Sequence, residues 1–382
     1  MRITLALGLC LIACAALAGP RAKGDGKAEV PEVIQAKSSP QDNYRWRLNE
    51  NVVTIMAGRP DGTELSIAAD IAAVLDEGDN LRILPMVGKG AAQNVKDVMF
   101  LRGVDMGITQ ANVLRHFAKT GELGSNFVSQ ITYVAKLFNQ EIHILARPDI
   151  TDLKQLNGRL VNFGEEGSGA DITAQLIFEA FGVSVQPVHL PAADAILKLK
   201  SGGIAAVLVL GAKPLQALAT LKDTSGLKLL PIPYAKALED DYYPATLTHA
   251  DYPELIADGQ SVDTVAVCTV LVAFNWPGDS VRYQKLAKFV EAFFSKFGQF
   301  QQPPRHPKWR EVNFAATLEG WHRSPLAQAW IDHAKETGQT AARGTFDVFL
   351  AQTAQASTAP TTDAERASLF KAFLEWSKDH GN

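Results

Sequence analysis

GRLVNFGEEGSGADITAQLIFEAFG, Gly158 to Gly182, is the stretch on which the reading of the whole chain turns. Leu160, Val161 and Phe163 form a short apolar strand, a glycine-punctuated loop follows, and Ile172, Leu176, Ile177, Ala180 and Phe181 share one helical face, with Gly182 as the stop. Ser168 suits the N-cap, and Asp171 three residues on completes an approximate capping box. Gly167 and Gly169 carry no side chain that would hold a ligand away from the backbone N–H groups. A helix N-terminus opening above a strand in this way is a preformed anion site. The alternative is an ordinary strand-to-helix turn with a good cap.

Upstream, the same unit repeats. Val52, Val53, Ile55 and Met56 read as a strand, the loop AGRPDGT follows from Ala57 to Thr63, and a helix carries Leu65, Ala68, Ala69, Ala72 and Leu75. A second strand, Leu81 to Val87, precedes Gly88-Lys89-Gly90 and a helix through Val95, Val98 and Met99. A third, Val104 to Thr109, leads through Gln110-Ala111-Asn112 into a helix with Val113, Leu114 and Phe117. This alternation predicts parallel βα units whose right-handed crossovers gather the loops at one edge of the sheet. Open α/β sheets bind ligands outside that edge.

Downstream, a second sheet is expected from near Ile142, built from His143 to Pro148, the strand before Gly164, Val183 to Leu190 and Ala205 to Leu210, with a helix from Ala192 to Lys200. Tyr242 to Pro253 reads as a loop. Val262 to Phe274 is long, β-branched and nearly uncharged, so it is expected to serve both sheets and to cross between lobes beside His143 to Arg147. Leu286, Phe289, Val290, Phe293, Phe294 and Phe297 make a helical core stripe; 303–310 reads as a loop, and 357–363 as a linker before a terminal helix with Leu369, Phe370, Phe373 and Leu374. The expected fold class is α/β with two lobes, crossing hinge strands and a helical C-terminal extension. Its expected divisions are a signal peptide at 1–18, a flexible leader at 19–49, lobe one at 50–141 plus 265–382, and lobe two at 142–264.

With 382 residues and 47% hydrophobic content, the chain can bury sizeable cores, and a net charge of −4 gives no reason to expect a nucleic-acid partner. Met1-Arg2 and the apolar run Ile3 to Ala18, ending in Ala16-Leu17-Ala18, read as a secretory signal, too short for a comfortable membrane span. Leu11-Ile12-Ala13-Cys14 also fits a bacterial lipoprotein box, with Cys14 as the lipidated residue. A periplasmic or extracytoplasmic location follows, with lipid anchoring as a variant. Cleavage would leave Cys268 as the one cysteine, inside VAVCTVLVAF, as a buried packing residue.

Reaction chemistry is sparse in this pattern. Gly88-Lys-Gly90 and Gly167-Ser-Gly169 each lack the third glycine of a dinucleotide fingerprint, and no phosphate loop or G-x-S-x-G elbow occurs, so no cofactor is expected. The eight histidines never take H-x-x-x-H or H-x-H spacing, so no metal is expected either. Glu165-Glu166 is either a solvated acidic turn or a seat for a ligand ammonium group. Arg59, Thr63, Lys89, Gln110, Asn112, Ser168 and Lys213 all sit on loops that follow strands. Arginine grips a carboxylate with two parallel bonds, lysine offers a point charge, and the helix N-terminus adds N–H donors.

With these residues in view, the chain resembles the TAXI family of extracytoplasmic solute receptors, the binding subunits of tripartite ATP-independent periplasmic (TRAP) transporters. The likeness covers most of 50–340. The family's first loop is similar to Gly58 to Glu64 (GRPDGTE), and its T-G-G-S…N segment to Val87 to Asn94. D-x-G-x-x-Q matches Asp105 to Gln110, G-E-x-G-S-G matches Gly164 to Gly169, G-x-P is echoed by Gly211 to Pro214, and V-D-T stands at Val262 to Thr264. The resemblance implies a periplasmic-binding-protein type II-like fold closing on a small organic anion, a carboxylate or amino acid, for a TRAP-type permease. The expected ligand-binding set is Arg59, Thr63, Glu64, Lys89, Gln110, Asn112, Gly167, Ser168, Gly169 and Lys213, with no catalytic residue. The sequence departs from the family where an aromatic usually follows the threonine: Glu64-Leu65 stands there, a carboxylate in place of a covering ring. Two other classes stay open: an enzyme on the same fold with Asp171, Glu165 or His143 as acid or base, and a sensor or scaffold with a vestigial cleft.

Overall fold

The computed structural model describes residues 39–337 apart from 61, 222, 223 and 225. The expected signal, Cys14, the 357–363 linker and the terminal helix lie outside the described residues. Helix α1 (Pro40–Asn51) opens the described chain, which corrects the expected leader at its end: Ser39 accepts the Asp42 N–H at 3.1 Å and Pro40 takes the first helical turn. Strand β1 (Val52–Gly58), helix α2 (Thr63–Leu75), β2 (Arg82–Val87), α3 (Ala91–Phe100), β3 (Met106–Gln110) and α4 (Ala111–Thr120) follow, and β2, β1 and β3 pair in parallel.

The short α5 (Phe127–Gln130) leads into β4 (Ile131–Ala146), and β5 (Leu160–Asn162), α6 (Gly169–Ala180), β6 (Gln186–Val188), α7 (Ala192–Lys200), β7 (Ala206–Gly211), α8 (Gln216–Ala219) and β8 (Lys228–Leu230) complete the second set. Strands β9 (Tyr242–Thr248) and β10 (Ser261–Phe274) and helices α9 (Val281–Ser295) and α10 (Phe297–Phe300) come next, then a 3-10 turn at Pro307–Glu311 and a helix over 325–337.

Two separate sheets were the expectation; the hydrogen bonding instead runs unbroken in the order β2-β1-β3-β10-β4-β7-β5-β6, with β8 on β4 and β9 on β10. The continuity comes from β4, which is 16 residues long and begins at Ile131, well before Ile142. Lys136, Asn139 and Gln140 break its apolar run and hide it in the sequence. Its first part pairs antiparallel with the second part of β10; from Glu141 onward it pairs with β7. Strand β10 mirrors this, meeting β3 and β4 at its end and β9 at its start. Two strands therefore serve both lobes. The loop expected over Tyr242 to Pro253 is in part β9, an edge strand, a position that tolerates Pro244.

Alternation along the strands gives each lobe two apolar layers. In lobe one, Val53, Ile55, Leu271 and Ala273 pack with α2, α9 and Trp309, while Met56, Cys268, Val270 and Val272 pack with α3 and α4 on the other face. In lobe two, Ile142, Ile144, Val161 and Phe163 meet α6, and Leu145 and Val207 meet α7. Cys268 is buried, and burial pushes its thiol up to about 11. The phenylalanine stripe of α9 is core, with Phe289 and Phe293 fully buried. The 303–310 segment is no simple loop: Trp309 is fully buried and its Nε1 donates to Asp70 Oδ2 at 2.9 Å.

Candidate functional site

Strand ends and helix starts of the two lobes meet around a cleft of about 310 Å³. Lobe one supplies the loop after β1 (Gly58, Arg59, Gly62 and then Glu64 on α2), the loop after β2 (Lys89, Gly90) and Gln110 at the end of β3. Lobe two supplies Asn162, Gly164 and Ser168 to Ala170 of the turn, Leu208 to Leu210 of β7, and Leu215 with α8. Arg59 and Ser168 thus line one hollow.

The quoted turn folds as its sequence dictates. Ser168 Oγ accepts the Asp171 N–H at 3.2 Å, and Asp171 Oδ2 in turn accepts the Gly167 N–H at 2.9 Å, closing the turn on itself. Gly167 takes φ +73°, a left-handed conformation that glycine adopts freely. Gly169 answers a different need: a Cβ there would lie 2.2 Å from Gln110 Oε1. Lobe one and lobe two touch at that point.

Six of the expected residues line the cleft: Arg59, Glu64, Lys89, Gln110, Ser168 and Gly169. Arg59 Nη1 lies 3.4 Å from Glu165 Oε1, an ion pair reaching from one lobe to the other. The remaining four are engaged elsewhere. Thr63 Oγ1 accepts the Ala212 N–H at 3.2 Å, and the buried Asn112 donates to Thr173 Oγ1 at 2.9 Å and Tyr242 OH at 3.0 Å. Both fasten the lobes together. Lys213 Nζ donates to Thr246 O at 2.6 Å and Asp251 Oδ2 at 3.2 Å, within lobe two. Gly167 stays in the turn.

Glu64 holds an unusual position. Its Oε1 accepts Gln110 Nε2 at 3.0 Å and Gln140 Nε2 at 2.9 Å, and Gln110 Nε2 also donates to Gln140 Oε1 at 2.9 Å. Burial raises the Glu64 carboxyl above the usual carboxylate range, opposed by its own backbone N–H, Gln140, the Arg59 charge and Gln110. The sequence offered no sign of Gln140, because β4 was not visible there. Leu208, Leu210 and Leu215, which give the cleft an apolar wall, read in the sequence only as strand and packing residues.

A raised carboxylate pKa means that the folded state holds the proton more tightly than the unfolded chain does. Stability from this group is therefore lost as pH climbs out of the acid range, and the full cost stands once pH exceeds the folded pKa. Glu64→Gln keeps an acceptor for both glutamines and removes that cost. We expect the ligand-free variant to melt higher than the parent at pH 7, with the difference vanishing at acid pH in a calorimetric series.

The three residues weighed as acid or base all lie off the cleft lining. Asp171 is held by the turn and by Gln175, Glu165 faces Arg59, and His143 is fully buried against Tyr252, with burial pushing it down to about 4. Among the described residues no cluster of metal-ligating side chains is present, and no helix is long and apolar enough to cross a membrane.

Fold and site together define a two-lobe, periplasmic-binding-protein-like α/β protein with its cleft between the loops that follow the strands of the two lobes. The NMT1-like family model matches residues 55–338, and the chain belongs to that family. Among solved structures it is similar to a protein from Bordetella bronchiseptica RB50 (14% identity, 76% of this chain and 83% of that chain, TM-score 0.46). It is also similar to an ABC uptake transporter substrate binding protein from Streptococcus pneumoniae with bound histidine (12%, 69% and 96%, 0.42). A third is the periplasmic aliphatic sulphonate binding protein SsuA from Escherichia coli (15%, 86% and 87%, 0.36).

Proposed function

We propose that the protein is an extracytoplasmic solute-binding receptor that captures a small organic anion in the interlobe cleft and hands it, chemically unchanged, to a TRAP-type membrane permease. The observation that carries this reading is the composition of the cleft. Arg59 and Lys89 bring positive charge from lobe one, Ser168 and the α6 N-terminus bring donors from lobe two, and of the acid and base candidates Glu165 is paired with Arg59 while Asp171 and His143 lie off the lining. A carboxylate between them meets charge and N–H groups from both sides, so the ligand favours the closed form by its differential affinity for it. Lys213 and Asn112 then act at a distance, by shaping the walls. The N-terminal signal and Cys14 fit a secreted, lipid-anchored variant of the same role, and the TRAP assignment rests on the resemblance in the loops.

A thermal-shift screen of amino acids, 2-oxoacids and dicarboxylates tests this. The reading predicts a ligand whose stabilisation at a hundredfold excess over Kd approaches ~2.7 kcal/mol. Arg59→Ala should weaken it by roughly tenfold, the order of one charge-assisted hydrogen bond. A flat screen across all three ligand classes contradicts the receptor role.

A further inference from the structure

The cleft has two chemically opposite poles, and their identity goes past the anion capture proposed above, on which this inference rests. The first is a donor pole on lobe two. Gly169 and Ala170 line the cleft at the first turn of the 12-residue α6, where backbone N–H groups have no intrahelical acceptor. The second is an acceptor pole on lobe one. Glu64 Oε1 is taken up by Gln110 and Gln140, while Oε2 lies alongside Gly58 and Gly62, both cleft residues. Gln110 is only 1% exposed, and its Oε1 is a buried acceptor with no hydrogen-bond partner, set directly against Gly169. An unpartnered buried carbonyl calls for a donor.

One glutamine side chain spans the two poles, so a single short ligand can reach both. Around them, Ala170, Leu208, Leu210, Leu215 and Ala217 supply an apolar wall. We propose that Glu64 sets the specificity, and that the cleft takes an aliphatic amino acid with its ammonium group on Glu64 Oε2 and Gln110 Oε1 and its carboxylate on the α6 N–H groups. A 2-oxoacid offers those two acceptors only a third acceptor, and a dicarboxylate sets a second negative charge against Glu64. The exposed Lys89, next to Gly90, which abuts Ser168 and Gly169, keeps the carboxylate end of the cleft positive, while the Arg59 charge lies between Glu165 and Glu64. The burial that raises the Glu64 carboxyl also strengthens its pairing with a cation once the cleft has closed.

Matched ligands on the full-length protein decide the matter. Isothermal titration at pH 7 should give L-leucine an affinity ten- to a hundredfold above 4-methyl-2-oxopentanoate, its 2-oxo analogue, and above glutarate. Glu64→Gln should weaken leucine by at least tenfold and weaken neither the oxoacid nor glutarate, with far-UV circular dichroism confirming that the variant is folded. Equal or tighter binding of the oxoacid or of glutarate, or an equal effect of Glu64→Gln on all three, overturns the amino-acid assignment and leaves the receptor role standing. Failure of every anion and amino acid tried overturns both.

Discussion

Lys308→Met is expected to lower the free energy of unfolding by about 3–5 kcal/mol, the cost of leaving one partner of a buried ion pair uncompensated. Lys308 Nζ donates to Glu141 Oε1 at 2.7 Å, and both residues are only 4% exposed. Glu141 stands where β4 leaves β10 and takes up β7, and its Oε2 accepts the Lys213 N–H at 2.9 Å. One carboxylate thus ties the 307–311 turn, the crossing strand and lobe two together. Removing the ammonium leaves that charge in a site from which water is excluded, with one backbone donor for support. In urea denaturation the midpoint should fall sharply, and Lys308→Met with Glu141→Gln should recover most of the loss, because glutamine still accepts the Lys213 N–H without a charge. A single variant as stable as the parent would show that the pair contributes nothing at the hinge.

Gly169→Ala separates binding from folding. Its backbone lies outside the left-handed region, so alanine suits the first turn of α6. The new methyl group would nevertheless meet Gln110 Oε1 at 2.2 Å and Cδ at 2.9 Å. Gln110 cannot step aside cheaply, because Glu64 and Gln140 hold its Nε2. Overpacking of this kind costs about 1–3 kcal/mol. On the receptor reading the ligand draws the lobes together through this contact, so ligand affinity should drop roughly ten- to a hundredfold while the unliganded melting temperature stays within a few degrees of the parent. Unaltered affinity would mean that the lobes do not close through this contact.

Local chemistry was well written in the sequence. The Ser168 cap, α7 from Ala192 to Lys200 and the β10 run needed only neighbouring residues to be recognised. Strand β4 did not, because Lys136, Asn139 and Gln140 look like a loop until β10 is laid beside them. The Pro307–Glu311 turn hid in the same way, since the buried ammonium of Lys308 is taken up not only by Glu311 but by Glu141, 167 residues away. The site shows the same limit. Position after a strand brought Arg59, Lys89 and Gln110 to the cleft, but could not foresee that Asn112 would be absorbed by Tyr242, 130 residues on, or Thr63 by Ala212. Glu64 stands out in the sequence as a departure; the clamp that gives it meaning needs Gln140 from β4.

The central claim is that loops from both lobes enclose one solute. Amide hydrogen exchange with and without the ligand found in the screen measures this directly. The account predicts slowed exchange in Gly58 to Glu64 and Gly88 to Gly90 of lobe one together with Gly164 to Ala170 of lobe two. Protection confined to one lobe, or centred away from these three loops, contradicts it.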